Sequence, residues 1–156
     1  MQEKYGGRGR GPMEVRVWLR MLSCTMTVEK ELRRMFTEEF GTTLPRFDVM
    51  ASLERHPDGQ TMGQLSKALL VSNGNVTAVV RQLSDKGLVS TRPAENDRRT
   101  TIVALTEEGR KRFATLAKAH HDWIGSVFSG FAPERQEELF HLLADLKSSI
   151  GERLEK

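Results

Sequence analysis

The chain has 156 residues, of which 38% are hydrophobic, 6% aromatic and 29% charged, and its formal net charge is +3. That length supports one domain with a real core rather than two, and the modest apolar content suits a helical, partly solvated protein better than a compact barrel. A lone cysteine, Cys24, excludes an intrachain disulfide framework and fits a reducing cytoplasm; no apolar run of about 18 residues and no signal-peptide core is present, so no membrane span is expected.

Residues 1–12, MQEKYGGRGRGP, are rich in Gly and Arg, lack periodicity and read as a disordered tail whose Arg8 and Arg10 could brush phosphates. The glycine spacing is not a phosphate loop, because no Gly-Lys-Ser/Thr completes it. From residue 14 to 40 the pattern is helical, with Val15, Leu19, Leu22, Met26, Leu32, Met35, Phe36 and Phe40 on one face and Gly41 as the stop. Such a helix spans about 40 Å, too long for a small module to cover, so part of it must pack elsewhere. Residues 44–55, LPRFDVMASLER, form a shorter helix that buries Phe47, Met50, Ala51 and Leu53, and His56-Pro57-Asp58-Gly59 is a turn by composition.

The rest of the chain is organised around residues 61–105. In the first part, Met62, Leu65, Ala68 and Leu69 recur at the spacing of one buried helical face. After a tight break at Val71-Ser72, Val76, Val79, Val80 and Leu83 do the same, leaving Asn73, Asn75, Thr77, Ala78, Arg81 and Gln82 toward the open side. Ser72 is a good N-cap and Gly87 a good stop, so this second helix is short and presents Ser72, Asn73, Gly74, Asn75 and Thr77 from its first turns. Small hydrogen-bonding side chains are what a helix needs to enter a major groove: Asn pairs bidentately with adenine, Ser and Thr meet bases or phosphates, and Gly lets the backbone approach. The same residues also serve as ordinary caps and turns, so this helix alone leaves both readings open.

Two β-rich runs follow, 88–92 and 100–105, joined by a polar tip in which Arg98 and Arg99 sit beside Asp97. An Arg on a projecting loop suits a minor groove or a phosphate, and a nearby Asp can orient a guanidinium; an exposed charged loop is the plainer alternative. Within 61–105, Lys67, Arg81, Lys86, Arg92, Arg98 and Arg99 stand against Asp85, Glu95 and Asp97, an excess of +3 that equals the net charge of the whole chain. The positive excess is therefore concentrated where a nucleic acid would lie.

Thr106 opens a long helix with Glu107 and Glu108 in its first turn, running through Phe113, Leu116, Ala117, His120, Trp123, Ile124 and Val127 toward Gly130. Pro133 starts a last helix whose Leu139, Leu142, Leu143, Leu146, Ile150 and Leu154 step by three and four. A narrow apolar stripe there, with another long helix at the opposite end of the chain, is what an intertwined dimer requires. Intrachain packing is the simpler use of the same stripe. A symmetric pair explains helices outside the reading unit and sets two reading helices about 34 Å apart.

The segments VSNGNVTAVVRQLSDKGLV and AENDRRTTIVALTEEG resemble the MarR family of bacterial transcriptional regulators. The likeness is carried by Val-Thr near the start of the second helix, by Leu83, Gly87, Leu88 and Val89 at its exit, by Asp97 and Arg99 in the wing, and by Leu105-Thr106-Glu107-Glu108-Gly109. The resemblance implies a homodimer on a pseudo-palindromic operator in double-stranded DNA, usually repressing, released by a small-molecule effector or an oxidant. The expected fold is mainly α with a small β-hairpin wing: a winged helix-turn-helix over 41–105, with 13–40 and 106–156 forming a dimerisation region. DNA contact is expected from Ser72, Asn73, Gly74, Asn75, Thr77, Arg81, Asp97, Arg98 and Arg99.

The resemblance also places an effector pocket where the first helix, the 44–55 helix and the start of the long helix converge. Candidate lining residues are Trp18, Arg20, Met21, Leu22, Met26, Arg46, Phe47, Met50, His120 and Trp123. Apolar side chains at helical spacing serve packing first, yet Met and aromatic groups rimmed by cations suit a phenolic acid or its coenzyme A thioester. Two further readings stay open: oxidant sensing through Cys24, which lacks a resolving partner, and a winged-helix adaptor without DNA contact, against which the polar, Asn-rich helix argues. His56, His120, His121 and His141 lack the spacing to share an ion, and hydrolase, zinc-protease and nucleotide-loop motifs are missing, so neither metal, cofactor nor enzymatic activity is expected.

Overall fold

A computed structural model describes residues 11–95, 97 and 99–154. The tail with Arg8 and Arg10, the tip residues Asn96 and Arg98, and the side chain of Leu154 lie outside the described residues. The order of elements is α1 (Met13–Phe40), α2 (Leu44–Glu54), β1 (Gln60–Thr61), α3 (Met62–Leu69), α4 (Asn73–Asp85), β2 (Val89–Pro93), β3 (Thr101–Leu105), α5 (Glu107–Phe128) and α6 (Pro133–Leu154). The mainly helical winged architecture expected from the sequence is present. The chain divides into two compact units, Met1–Ala117 and Lys118–Lys156, with the boundary inside α5.

The ends of the helices follow local chemistry. Gly41 ends α1 in the left-handed region at φ 58°, returning its amide to the Phe36 carbonyl. Thr61 and Gln64 form a capping box at α3: the Thr61 hydroxyl accepts from the Gln64 amide at 3.1 Å, and the Gln64 side chain accepts from the Thr61 amide at 2.8 Å.

The antiparallel sheet has three strands in the order β1-β3-β2, one more than a hairpin. β1 pairs Gln60 with Val103 and Thr61 with Ile102, and two residues are too few for alternation to reveal a strand. Its place is secured behind it, where the buried Ser52 hydroxyl donates to Gln60 Oε1 at 2.8 Å. The preceding Gly59, at φ 89°, admits no side chain, since a Cβ there would stand 2.6 Å from the Val103 carbonyl oxygen.

The core of the first unit runs from Phe36 through Phe47 to Phe113, stacked with ring centroids 4.8 Å and 5.6 Å apart. Met50, Leu53, Leu65, Val76, Leu83, Val103 and Leu116 are buried with it. Ala68, expected on the buried face of α3, is exposed; Leu65 alone anchors that short helix fully, with Met62 and Leu69 half-buried.

One junction ties the end of α4 to the wing and to α5. The Thr106 hydroxyl donates to the Gly87 carbonyl at 2.7 Å and accepts from the Gly109 amide at 2.9 Å, while the Thr106 amide donates to the Leu88 carbonyl at 3.1 Å. Gly109 lets this happen, because a Cβ there would lie 1.9 Å from the Leu88 oxygen.

In the second unit, α6 keeps its apolar positions bare: Leu139, Leu142, Leu143 and Ile150 are exposed and Leu146 is half-buried.

Gly109→Ala should lower stability by about 1–3 kcal/mol through forced displacement of the backbone, although Ala exceeds Gly in helix propensity by about 1 kcal/mol. Thermal unfolding checks the sign: a variant as stable as the parent would mean that the α5 start yields freely.

Candidate nucleic-acid interface

The turn between α3 and α4 sets the angle at which α4 leaves the core. Leu70 adopts φ 54°, a sparsely populated conformation for a branched side chain, and stands 92% exposed. The turn is held by Ser66, whose carbonyl accepts from the Val71 amide at 3.2 Å and whose hydroxyl donates to the Val71 carbonyl at 2.5 Å. The sequence contained no sign of Leu70's position, since a leucine beside an apolar helical face reads as core.

Ser72 caps α4 with a long contact, 3.4 Å from the Asn75 amide to its hydroxyl. Val76, Val80 and Leu83 are buried, while Ser72, Asn73, Gly74, Asn75, Thr77 and Arg81 are all exposed. Gly74 has nothing within 4 Å of where a Cβ would be, so no intramolecular packing demands a glycine there. The Thr77 hydroxyl donates to the Asn73 carbonyl at 2.8 Å, so its proton is committed and only its acceptor lone pairs face outward. Behind the helix, Arg46 on α2 donates through Nε to Gln82 Oε1 at 3.0 Å, fixing the rotation of α4 about its axis.

In the wing, Asp97 braces the tip through the backbone of Arg99 and the side chain of Thr100. Its carboxylate accepts from the Arg99 amide at 2.9 Å and from the Thr100 hydroxyl at 2.8 Å. These two bonds, the amide first, hold its carboxyl below the usual Asp value. Arg99 is exposed. Arg92 reaches the Asp58 carbonyl at 3.3 Å.

Charge pairing separates the two parts of the chain. The salt bridges among the described residues join Arg33, Arg34, Lys111, Lys118 and Arg135 to nearby carboxylates on α1, α5 and α6. None involves Lys67, Arg81, Lys86, Arg92 or Arg99, so among the described residues no close ion pair offsets these cations.

A cavity of about 230 Å³ opens beside the C-terminal end of α4, lined by Arg46, Lys86 and Arg112 with Met50, Leu83 and Leu116. Arg112 also donates to the Phe40 carbonyl at the end of α1. Of the ten candidate effector residues, Arg46 and Met50 line this cavity. Phe47 is committed to the aromatic stack, Met21 and Leu22 are half-buried on α1, and Trp18, Arg20 and Met26 are exposed. His120 and Trp123 belong to the second unit and are half-buried; burial, then the neighbouring His121, lowers the His120 pKa. Lys86 and Arg112 escaped sequence reasoning, because a cation near a helix end looks like a solvated one. Cys24 is exposed, and among the described residues no cluster of three or more His, Cys, Asp or Glu could hold a metal.

The MarR family model matches residues 40–100, from the end of α1 through the wing. A MarR family transcriptional regulator from Silicibacter pomeroyi is 31% identical, with 88% of this chain and 95% of that chain covered and a TM-score of 0.77. The chain belongs to the MarR family. Transcriptional activatory protein BadR of Rhodopseudomonas palustris is 28% identical over 138 residues, covering 86% of this chain and 78% of BadR. The fold is shared with Sco3205 of Streptomyces coelicolor, a MarR family regulator whose crystal structure is in complex with DNA, at 20% identity and a TM-score of 0.78, covering 92% of this chain and 91% of that one. As a MarR family member the chain is a DNA-binding transcriptional regulator.

Asp97→Ala should release the tip while leaving the core alone: hydrogen exchange at the Arg99 and Thr100 amides accelerates and the unfolding midpoint stays put. Because the folded pKa of Asp97 is depressed, its contribution is present above the ordinary Asp value of 3.8 and is lost as pH falls through the lower folded value. An unchanged exchange rate in the variant would show that the tip is held by something else.

Proposed function

We propose that the protein works in the cytoplasm as a homodimer that binds a pseudo-palindromic operator, represses from it, and lets go when a small aromatic acid occupies the cavity beside α4. The observation that carries the DNA-reading part is the bare polar end of α4 next to cations that no carboxylate among the described residues neutralises. Ser72, Asn73, Gly74, Asn75, Thr77 and Arg81 enter the major groove, and the wing carrying Arg99 and Arg98 touches phosphate or minor groove, its backbone shaped by Asp97. Residues 41–105 form the reading unit, and 13–40 with 106–156 form the dimerisation region.

Pairing is supported by apolar surface that water would otherwise cover. Leu139, Phe140, Leu142, Leu143 and Ile150 of α6 are between 38% and 69% exposed, as are Val15, Val17 and Trp18 of α1 at 44% to 57%. Because both half-sites must be met at once, a shift of a few ångströms between the two reading helices would abolish binding without altering either unit.

The lining of the cavity supports the effector class. Three cations and no carboxylate favour an anion, and about 230 Å³ lies below the roughly 300 Å³ at which drug-sized pockets begin, so a single-ring acid fits better than its coenzyme A thioester. The Arg46–Gln82 hydrogen bond offers the route to the reading helix: an anion that recruits Arg46 competes with Gln82. The relative BadR is an activatory protein by name. Occupancy of an operator represses or activates according to where it lies relative to the promoter, and for this chain repression is the proposed outcome.

Fluorescence anisotropy against the DNA upstream of the protein's own gene, with and without a panel of phenolic acids, tests operator and effector together. Arg99→Ala should weaken binding to every duplex and reduce the salt slope by about one, whereas Asn73→Ala and Asn75→Ala should relax base preference. Equal losses on specific and random DNA for the Asn variants would remove base reading from α4. Truncation before Pro133 should give monomers in sedimentation, and a dimer surviving that cut would take the α6 stripe out of the interface.

A further inference from the structure

A second cavity lies on the other side of α2, toward the N-terminal end of α4, with a volume of about 450 Å³. Its walls are mostly apolar, formed by Pro45, Val49, Leu69, Val71, Val76 and Val79, and Asn75 and Ala78 of α4 complete one side. Three charged residues line it: Glu29 and Arg33 of α1 and Asp48 of α2. Glu29 and Arg33 are paired with each other one helical turn apart, which leaves the Asp48 carboxylate as the unbalanced charge. Asp48 is half-buried and makes no hydrogen bond or ion pair among the described residues. A carboxylate that has lost part of its hydration beside an apolar void is where an organic cation gains on both counts, by burying its hydrocarbon and by supplying the missing countercharge.

We propose that this cavity is a binding site for small hydrophobic cations, such as aromatic quaternary ammonium compounds, with Asp48 as the counter-ion. The site is separate from the cationic cavity near Lys86 and selects ligands of opposite sign. Burial is the main cause that pushes the Asp48 carboxyl up to about 6, with Arg33 opposing and Glu29 reinforcing. Those two side chains are the other charged groups lining the cavity, and α3, the turn and α4 contribute only uncharged residues.

Calorimetric titration of the full chain with benzyltrimethylammonium chloride, in the absence of DNA, tests the site independently of any DNA-binding reading. At neutral pH the cation should bind, and phenylacetate should not displace it. Asp48→Asn should weaken binding by about tenfold or more through loss of a partly desolvated countercharge. Arg33→Gln, on the exposed surface of α1, should tighten binding a few-fold, and its opposite sign separates an electrostatic effect from a folding defect should the Asn variant prove unstable. Since the ligand itself does not titrate, affinity should fall as pH drops through about 6 and Asp48 takes up a proton. Equal affinity for parent and Asp48→Asn, displacement by phenylacetate, or absence of binding at millimolar concentration would each overturn the proposal.

Discussion

Helix α4 has thirteen residues and commits three side chains fully to the core, Val76, Val80 and Leu83. Everything that α4 presents outward depends on that narrow strip of burial, because a helix this short has little stability of its own and takes its position from what its apolar face meets. The surrounding structure therefore restrains it at several points. Ser66 fixes the turn before it, Arg46 grips Gln82 on its flank, and Thr106 closes on Gly87 just after it ends. The small polar residues of the first turns stay exposed, with Ser72 capping the helix and Thr77 bonded to the Asn73 carbonyl.

The distribution of charge repeats this division of labour. Carboxylates and cations on α1, α5 and α6 are arranged in pairs one turn apart, which adds little stability at exposed sites but cancels their field. The cations of α4 and the wing have no such partners among the described residues. A weak net charge of +3 thereby becomes a local positive surface, which is how a nearly neutral protein attracts a polyanion.

α2 lies between two cavities of unlike character. It turns Arg46 and Met50 to one, with Lys86 and Arg112 nearby, and Pro45, Asp48 and Val49 to the other. Both cavities are also lined by α4, so a ligand in either one touches the helix proposed to read DNA. Residues one or two apart on a helix point about 100° or 200° from each other, and this is how one short helix lines cavities of opposite charge.

What the sequence determined by itself was whatever is settled within a few residues of chain. Gly41, Ser72, Gly87 and Pro133 mark helix ends through their own backbone preferences, the apolar spacing of Val76, Val80 and Leu83 identifies the buried side of α4, and the β-branched runs on either side of Asp97 announce the wing. Tertiary structure decided the features that join distant residues: the two-residue strand β1 held by Ser52 and Gln60, the exposure of Ala68, the bond of Arg46 to Gln82 thirty-six positions away, and that of Arg112 to Phe40 seventy-two positions away. It also joined Asp97 to the Arg99 amide and the Thr100 hydroxyl and left Asp48 beside a void. Periodicity and capping report the torsional and solvent preferences of neighbours in the chain, whereas the partner of a polar side chain is chosen by which surfaces the folded core brings together.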